Sequence, residues 1–174
     1  MRARSALGIA LSVAASAAQA QLPMPPPVPR PPPRNCTAVE HRQLDFWIGE
    51  WNVMQTGTQT MVGVSRVEPI YNGCAIRETW SPFDMNEGGS VSSYDRVAGG
   101  WRQTWVDSTA ERIDYAGRLE NGRMVFIAQR AGGTPRHTRV IQWRDGDAVR
   151  QVGETSTDGG PWVDAGTVRY KRLR

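Results

Sequence analysis

Glu78 is the side chain with the strongest claim to chemistry in this sequence. It alternates with Ile76 and Trp80, and a carboxyl group among apolar neighbours has a raised pKa, the condition for a general acid or base. The commoner arrangement for such a group is an ion pair with an inward-facing arginine, and that pairing is the expectation here. Asp107, at the end of the Trp101, Gln103, Trp105 run, is expected to cap the turn that follows. His41 and His137 are the only histidines, stand in no metal-ligand spacing such as H-E-x-x-H, and read as surface or capping residues. No G-x-S-x-G nucleophile elbow is present. No catalytic set, metal site or cofactor is assigned, and an isomerase or hydrolase built on Glu78 or Asp107 ranks behind the binding and interaction readings.

Cys36 and Cys74 are the only cysteines. There is no Cys-x-x-Cys, so a redox or metal-binding pair is the lesser reading, and in an oxidising compartment the two are expected to form a disulfide. The bridge would tie the start of the domain to an early strand. The N-terminal residues agree with such a compartment. Arg2 and Arg4 make a basic start, Ala6 to Ala15 is an apolar run, and Ala18-Gln19-Ala20 has the form of an A-x-A cleavage site, so residues 1–20 read as a signal peptide. The apolar run is well short of the roughly 20 residues a membrane-crossing helix needs. The expected location is the periplasm or the medium.

Eight of the 12 prolines then fall between Pro23 and Pro33. Residues 21–35 are expected to form an extended polyproline II linker, on the order of 30 to 40 Å long. A spacer is the plain reading, and a docking peptide for an aromatic groove the sharper one. With these segments set aside the basic balance disappears: of 21 Lys and Arg, Arg2, Arg4, Arg30 and Arg34 precede residue 36, leaving 17 against 17 Asp and Glu. A formally neutral domain lacks the cationic excess that phosphate backbones require, so nucleic acid is not expected as a partner.

The elements that must position Glu78 are strands. Gly57, Asn72-Gly73, Glu87-Gly88-Gly89, Gly99-Gly100, Asp107-Ser108, Asn121-Gly122, Gly132-Gly133, Asp145-Gly146 and Asp158-Gly159-Gly160 recur about every ten to fifteen residues. Asn-Gly and Asp-Gly supply the positive φ of tight hairpin turns. Between them the polarity alternates: Trp101, Gln103 and Trp105 share a face opposite Arg102 and Thr104, Ile113 and Tyr115 oppose Arg112 and Asp114, and Arg139, Ile141 and Trp143 alternate with Thr138, Val140 and Gln142. The fold expected for residues 36–174 is an all-β, antiparallel up-and-down meander of about ten strands, closed into a barrel because closure removes exposed edges. A sandwich is the alternative. Thr37 to Trp47 is expected to form a short helix capped by Thr37 with Glu40, plugging one barrel end.

Asp45-Phe46-Trp47-Ile48-Gly49-Glu50-Trp51, then Gly73-Cys74-Ala75-Ile76-Arg77-Glu78-Thr79-Trp80, Tyr94-Asp95, Trp101-Arg102-Gln103-Thr104-Trp105-Val106-Asp107 and Asp158-Gly159-Gly160-Pro161-Trp162 form an ordered series over residues 36–174. In this it resembles the DUF1579-like bacterial proteins of unknown function, a family similar to the calycin barrels that include lipocalins, fatty-acid-binding proteins and nitrobindins. The resemblance implies a small-molecule-binding type of fold and no particular activity. Gly49-Glu50-Trp51 is similar to the lipocalin Gly-x-Trp, whose indole lies under a basic residue of the last strand, a part that Arg172 or Arg169 would take. A haem site of the nitrobindin kind would need an axial ligand, and His137, alternating onto the Arg139, Ile141, Trp143 face, is the better of the two histidines for it.

The resulting expectation is an exported barrel that binds a small hydrophobic or amphipathic molecule, lined by Glu78, Trp80, Trp101, Gln103, Trp105, Arg139 and Trp143. If the indoles fill the barrel instead, the protein is a structural or protein-interaction module.

Overall fold

The structure, a computed structural model, describes residues 36–84, 86–130 and 136–173, without the side chains of residues 129 and 130. The signal peptide expected over residues 1–20 and the linker expected over 21–35 lie outside the described residues. Two 3-10 turns, Val39–Arg42 and Asp45–Trp47, lead into ten strands: β1 Gly49–Gln55, β2 Met61–Ile70, β3 Ala75–Pro82, β4 Gly88–Asp95, β5 Gly100–Asp107, β6 Arg112–Glu120, β7 Arg123–Arg130, β8 Arg136–Asp145, β9 Ala148–Thr157 and β10 Val163–Arg172. Each pairs antiparallel with the next, and β1 pairs with β10 from Trp51↔Arg172 to Gln55↔Val168, closing the barrel. Turn chemistry accounts for the simple order: Asn121 and Gly122 both take positive φ, 50° and 75°, the pair of values a two-residue hairpin turn requires.

The short helical segment expected before β1 is present, without the Thr37 cap expected for it. It divides into two 3-10 turns, the first preceded by Ala38 with no side-chain cap, and Thr37 is exposed and caps nothing. So short a segment gains little from helix propagation and is held by what it buries. Leu44 and Trp47 enter the barrel end at 0% and 1% exposure. The Trp51 indole N–H donates to the Trp47 carbonyl at 2.9 Å, and Tyr170 meets both indoles edge to face at 6.1 and 6.3 Å. Arg172, not Arg169, covers Trp51, its guanidinium 4.5 Å from the ring centre and donating to the Ile48 carbonyl at 3.4 Å. Gly49 makes the stack possible, since a Cβ there would lie 2.6 Å from the Arg172 Nη1. Cys36 and Cys74 form a disulfide that fastens this plug to the β2–β3 turn, and Arg42 donates to the Gly73 carbonyl beside it.

The barrel therefore has a closed end, carrying the plug and the β2–β3, β4–β5, β6–β7 and β8–β9 turns, and an opposite end, the mouth. Three inward glycines recur in the wall. A Cβ on Gly63 would lie 2.8 Å from the Trp80 ring, on Gly88 2.7 Å from the Trp105 ring, and on Gly117 2.4 Å from the Phe126 ring. Each ring occupies the place of a neighbouring strand's side chain and so lies along the wall. Phe126 has no exposed surface into which to retreat. Gly117→Ala is accordingly expected to cost roughly 1 to 3 kcal/mol of overpacking, read as a lower urea midpoint at unchanged slope. An unchanged midpoint would contradict this packing.

Candidate functional site

Inward positions change character from one end of the barrel to the other. At the closed end Leu44, Trp47, Trp51, Trp101, Met124 and Phe126 are filled in at 0–2% exposure. Toward the mouth, Trp80 and Trp105 with Ile113, Val140 and Val168 are packed on the core yet only partly buried. Between the two lies a polar layer contributed by many strands. Small inward residues belong to it: Ser65 on β2, Ser90 and Ser92 on β4 and Gly153 on β9. Ten strands also enclose a wider interior than the eight whose side chains just fill a small barrel.

Glu78 is the centre of that layer. Its Oε1 accepts from the Ser65 hydroxyl at 3.0 Å and lies 3.3 Å from the Tyr170 hydroxyl, and its Oε2 accepts from Ser90 at 3.2 Å. Gln103 donates to Ser92 at 2.9 Å and, at 3.5 Å, to Ser90. On the other side the Tyr170 hydroxyl is 3.3 Å from the Gln151 Oε1, which also accepts from the Gln142 amide at 2.6 Å. The Gln142 Oε1 is buried without a partner among the described atoms. Burial pushes the Glu78 carboxyl up to about 7, only partly offset by the Ser65, Ser90 and Tyr170 hydrogen bonds. Every partner is a hydroxyl, so the layer accepts either protonation state. With Glu78 ionised the three hydroxyls donate to it; with Glu78 neutral its own O–H donates to Tyr170, which turns its proton to Gln151. Burial and the neighbouring carboxylate together hold the Tyr170 phenol well above its usual value.

The expected partner of Glu78 was an inward arginine, and the structure replaces it with three hydroxyls. Among the described residues no cation contacts Glu78. Of the expected lining residues, Glu78, Trp80, Gln103 and Trp105 face the interior together. Trp101 also faces inward but sits in the floor, its indole N–H donating to the Gln43 Oε1 at 3.0 Å, and so holds the plug. Arg139 and Trp143 are corrected: register sets Val140 opposite Phe126 and Gln142 opposite Met124, which turns Arg139, Ile141, Trp143 and His137 to the outer wall. There Arg139 pairs with Glu154 at 2.6 Å and lies 4.3 Å over the Trp162 ring, and Arg123 lies 4.6 Å over Trp143. Both faces of β8 carry apolar residues, and the outer row Val125, Ile141, Val152 imitates an inner one. His137 is thereby removed from any lumen ligand set, and His41 is buried against Tyr94 beside the plug. Asp107 does cap its turn, its Oδ1 accepting from the Thr109 and Glu111 N–H groups.

Sequence reading missed Ser65, Ser90, Ser92, Gln142, Gln151 and Tyr170. Ser90-x-Ser92 and Val168-x-Tyr170 have the alternation of inward positions, but small polar residues give no apolar signal to mark the face. Grooves of about 460 Å³ on the outer wall beside Arg169 and Lys171 involve none of the layer's residues. Among the described residues no cluster of three or more His, Cys, Asp or Glu is placed to hold a metal ion, and no helix is long and apolar enough to cross a membrane. The chain matches no protein-family model and no curated protein sequence.

Proposed function

We propose that this protein is an exported binding barrel that takes a small amphipathic molecule through the mouth, its apolar body against Trp80, Trp105, Ile113, Val140 and Val168 and its polar end on the Glu78 layer. The observation that carries this reading is the order of side chains inside the barrel: a floor of buried apolar rings, then the polar layer around Glu78, then Trp80, Trp105, Ile113, Val140 and Val168, which are only partly buried. Apolar walls with a few convergent polar groups are the usual composition of small-molecule sites. Export is supported by the signal-like residues 1–20 and by the Cys36–Cys74 bridge, which suits an oxidising compartment. A relationship to the DUF1579-like and calycin barrels belongs to the same proposal, supported by the closed meander and by Arg172 stacked on the Gly49-x-Trp51 indole.

Calorimetric titration with 1-octanol tests the reading. Saturable binding is expected in the wild type and its loss in Val168→Phe, which adds bulk at the mouth side of the lumen while the circular dichroism spectrum stays native. Absence of saturable binding of 1-octanol and of its charged analogues n-octylammonium and octanoate alike in the wild type would overturn it. A partner protein lost on deletion of residues 21–35 would then favour the interaction module.

A further inference from the structure

Among the described side chains the lumen contains one carboxylic acid and no counter-charge. Among the described side chains the inward layer is Ser65, Ser90, Ser92, Gln103, Gln142, Gln151 and Tyr170, all neutral, around Glu78. The other described charged groups on inward positions stand at the two ends. Arg172 is stacked on Trp51 and Arg144 is exposed at the closed end, while Asp107 is engaged in its turn and Arg136 is exposed at the mouth. A glutamine could make comparable hydrogen bonds to three hydroxyls, so the carboxyl adds to this layer only the capacity to hold a negative charge. The layer also has more acceptors than donors, as the unpartnered Gln142 Oε1 indicates.

We propose that the ligand is a cationic amphiphile, a molecule with an ammonium group that pairs with Glu78 and an apolar body that lies along Trp80 and Trp105. This rests on the lumen-binding reading above and specifies its ligand class. The placement follows from register. Trp80 is the next inward position after Glu78 on β3, and Trp105 is directly opposite Ser90, which holds the Glu78 Oε2. An ammonium at Glu78 thus meets a carboxylate with two indoles at the neighbouring inward positions, and carboxylates and aromatic rings are the two partners that favour a desolvated cation. An anionic amphiphile would bring its head group to a carboxylate with no arginine or lysine beside it. A neutral head group gains a hydrogen bond and no ion pair. Since the ammonium selects the ionised form of Glu78, binding releases a proton wherever that carboxyl is protonated beforehand, and affinity rises with pH until ionisation is complete.

The test compares three probes of equal length on the whole folded domain: n-octylammonium, 1-octanol and octanoate, titrated calorimetrically at pH 8. Octylammonium is expected to bind at least about tenfold more tightly than 1-octanol, with octanoate the weakest. Between pH 5.5 and pH 8 the octylammonium affinity should increase by up to about 30-fold while that of 1-octanol stays nearly level, a dependence that a purely structural Glu78 would not produce. In Glu78→Gln the two probes should bind within about threefold of each other, with no pH dependence. The wild-type pH series stands on its own should that variant fold poorly. Octanol binding as tight as octylammonium, or a preference for octanoate, overturns the inference and leaves the lumen site intact. Failure of all three probes overturns both.

Discussion

Between pH 4.5 and pH 7 the wild-type domain is expected to lose about 2.5 kcal/mol of unfolding free energy through Glu78, and Glu78→Gln is expected not to share that loss. The sign follows from the direction of the shift. Glu78 has its folded-state value raised from 4.5 to about 7, so folding favours its protonated form. That contribution is complete below the unfolded value and is lost as pH rises through the folded one. The exposed carboxylates Glu68, Asp95, Asp107 and Asp114 act the other way. Arg77 holds Glu68 low, backbone N–H groups hold Asp95 low, Thr109 holds Asp107 low and Thr104 holds Asp114 low, so their contribution is present above the usual carboxylate range and fades on acidification. Their window lies below that of Glu78. The difference between wild type and Glu78→Gln isolates the buried group: near zero at pH 4, and in favour of the variant above pH 7 because the hydroxyls of Ser65, Ser90 and Tyr170 can accept from an amide as well as donate to it. Urea unfolding at half-unit pH steps measures this, and a variant as pH-sensitive as the wild type would refute it.

Removing the Cys36–Cys74 bridge is expected to cost up to about 4 kcal/mol, the loop-closure entropy for cysteines this far apart in sequence. The separation is 38 residues. The loss should be largest at the closed end. The bridge fastens the plug to a turn in which Tyr71, Asn72 and Gly73 all have positive φ, of 52°, 57° and 76°, and the side-chained residues among them are costly to hold there. With Cys36→Ala and Cys74→Ala together, Leu44 and Trp47 lose their tether, so amide exchange should rise first over residues 39–47 and at the ends of β2 and β3. A double variant that matches the wild type in urea midpoint and exchange would show that the plug is held by packing alone.

The ten strands were legible because hairpin turns are local. Asn121-Gly122 and Asp158-Gly159 need only their own backbone preferences to reverse the chain, and the intervening runs need only alternation. The faces of β3 and β5 were legible for the same reason, since Ile76, Glu78, Trp80 and Trp101, Gln103, Trp105 contrast with charged or polar neighbours. The face of β8 was not, because Val140 on one side and Ile141 with Trp143 on the other give the alternation two equal solutions. The Thr37 cap failed for a different reason: burial of Leu44 and Trp47 at the barrel end outweighed the local helix signal.

By itself the amino-acid sequence determined the meander, the cysteine pair and the candidacy of Glu78, because each depends on residues close in the chain or on a count that leaves one pairing. Only the tertiary structure decided what surrounds Glu78. Ser65, Ser90 and Tyr170 come from three strands: Ser65 and Ser90 from the two that flank β3, and Tyr170, 92 residues away, through closure of β10 onto β1. Closure and register are global: they turned Arg139 outward to Glu154 and left Glu78, among the described residues, without a cation beside it. The same glutamate that resembled half of an ion pair became a buried acid because the chain's ends met.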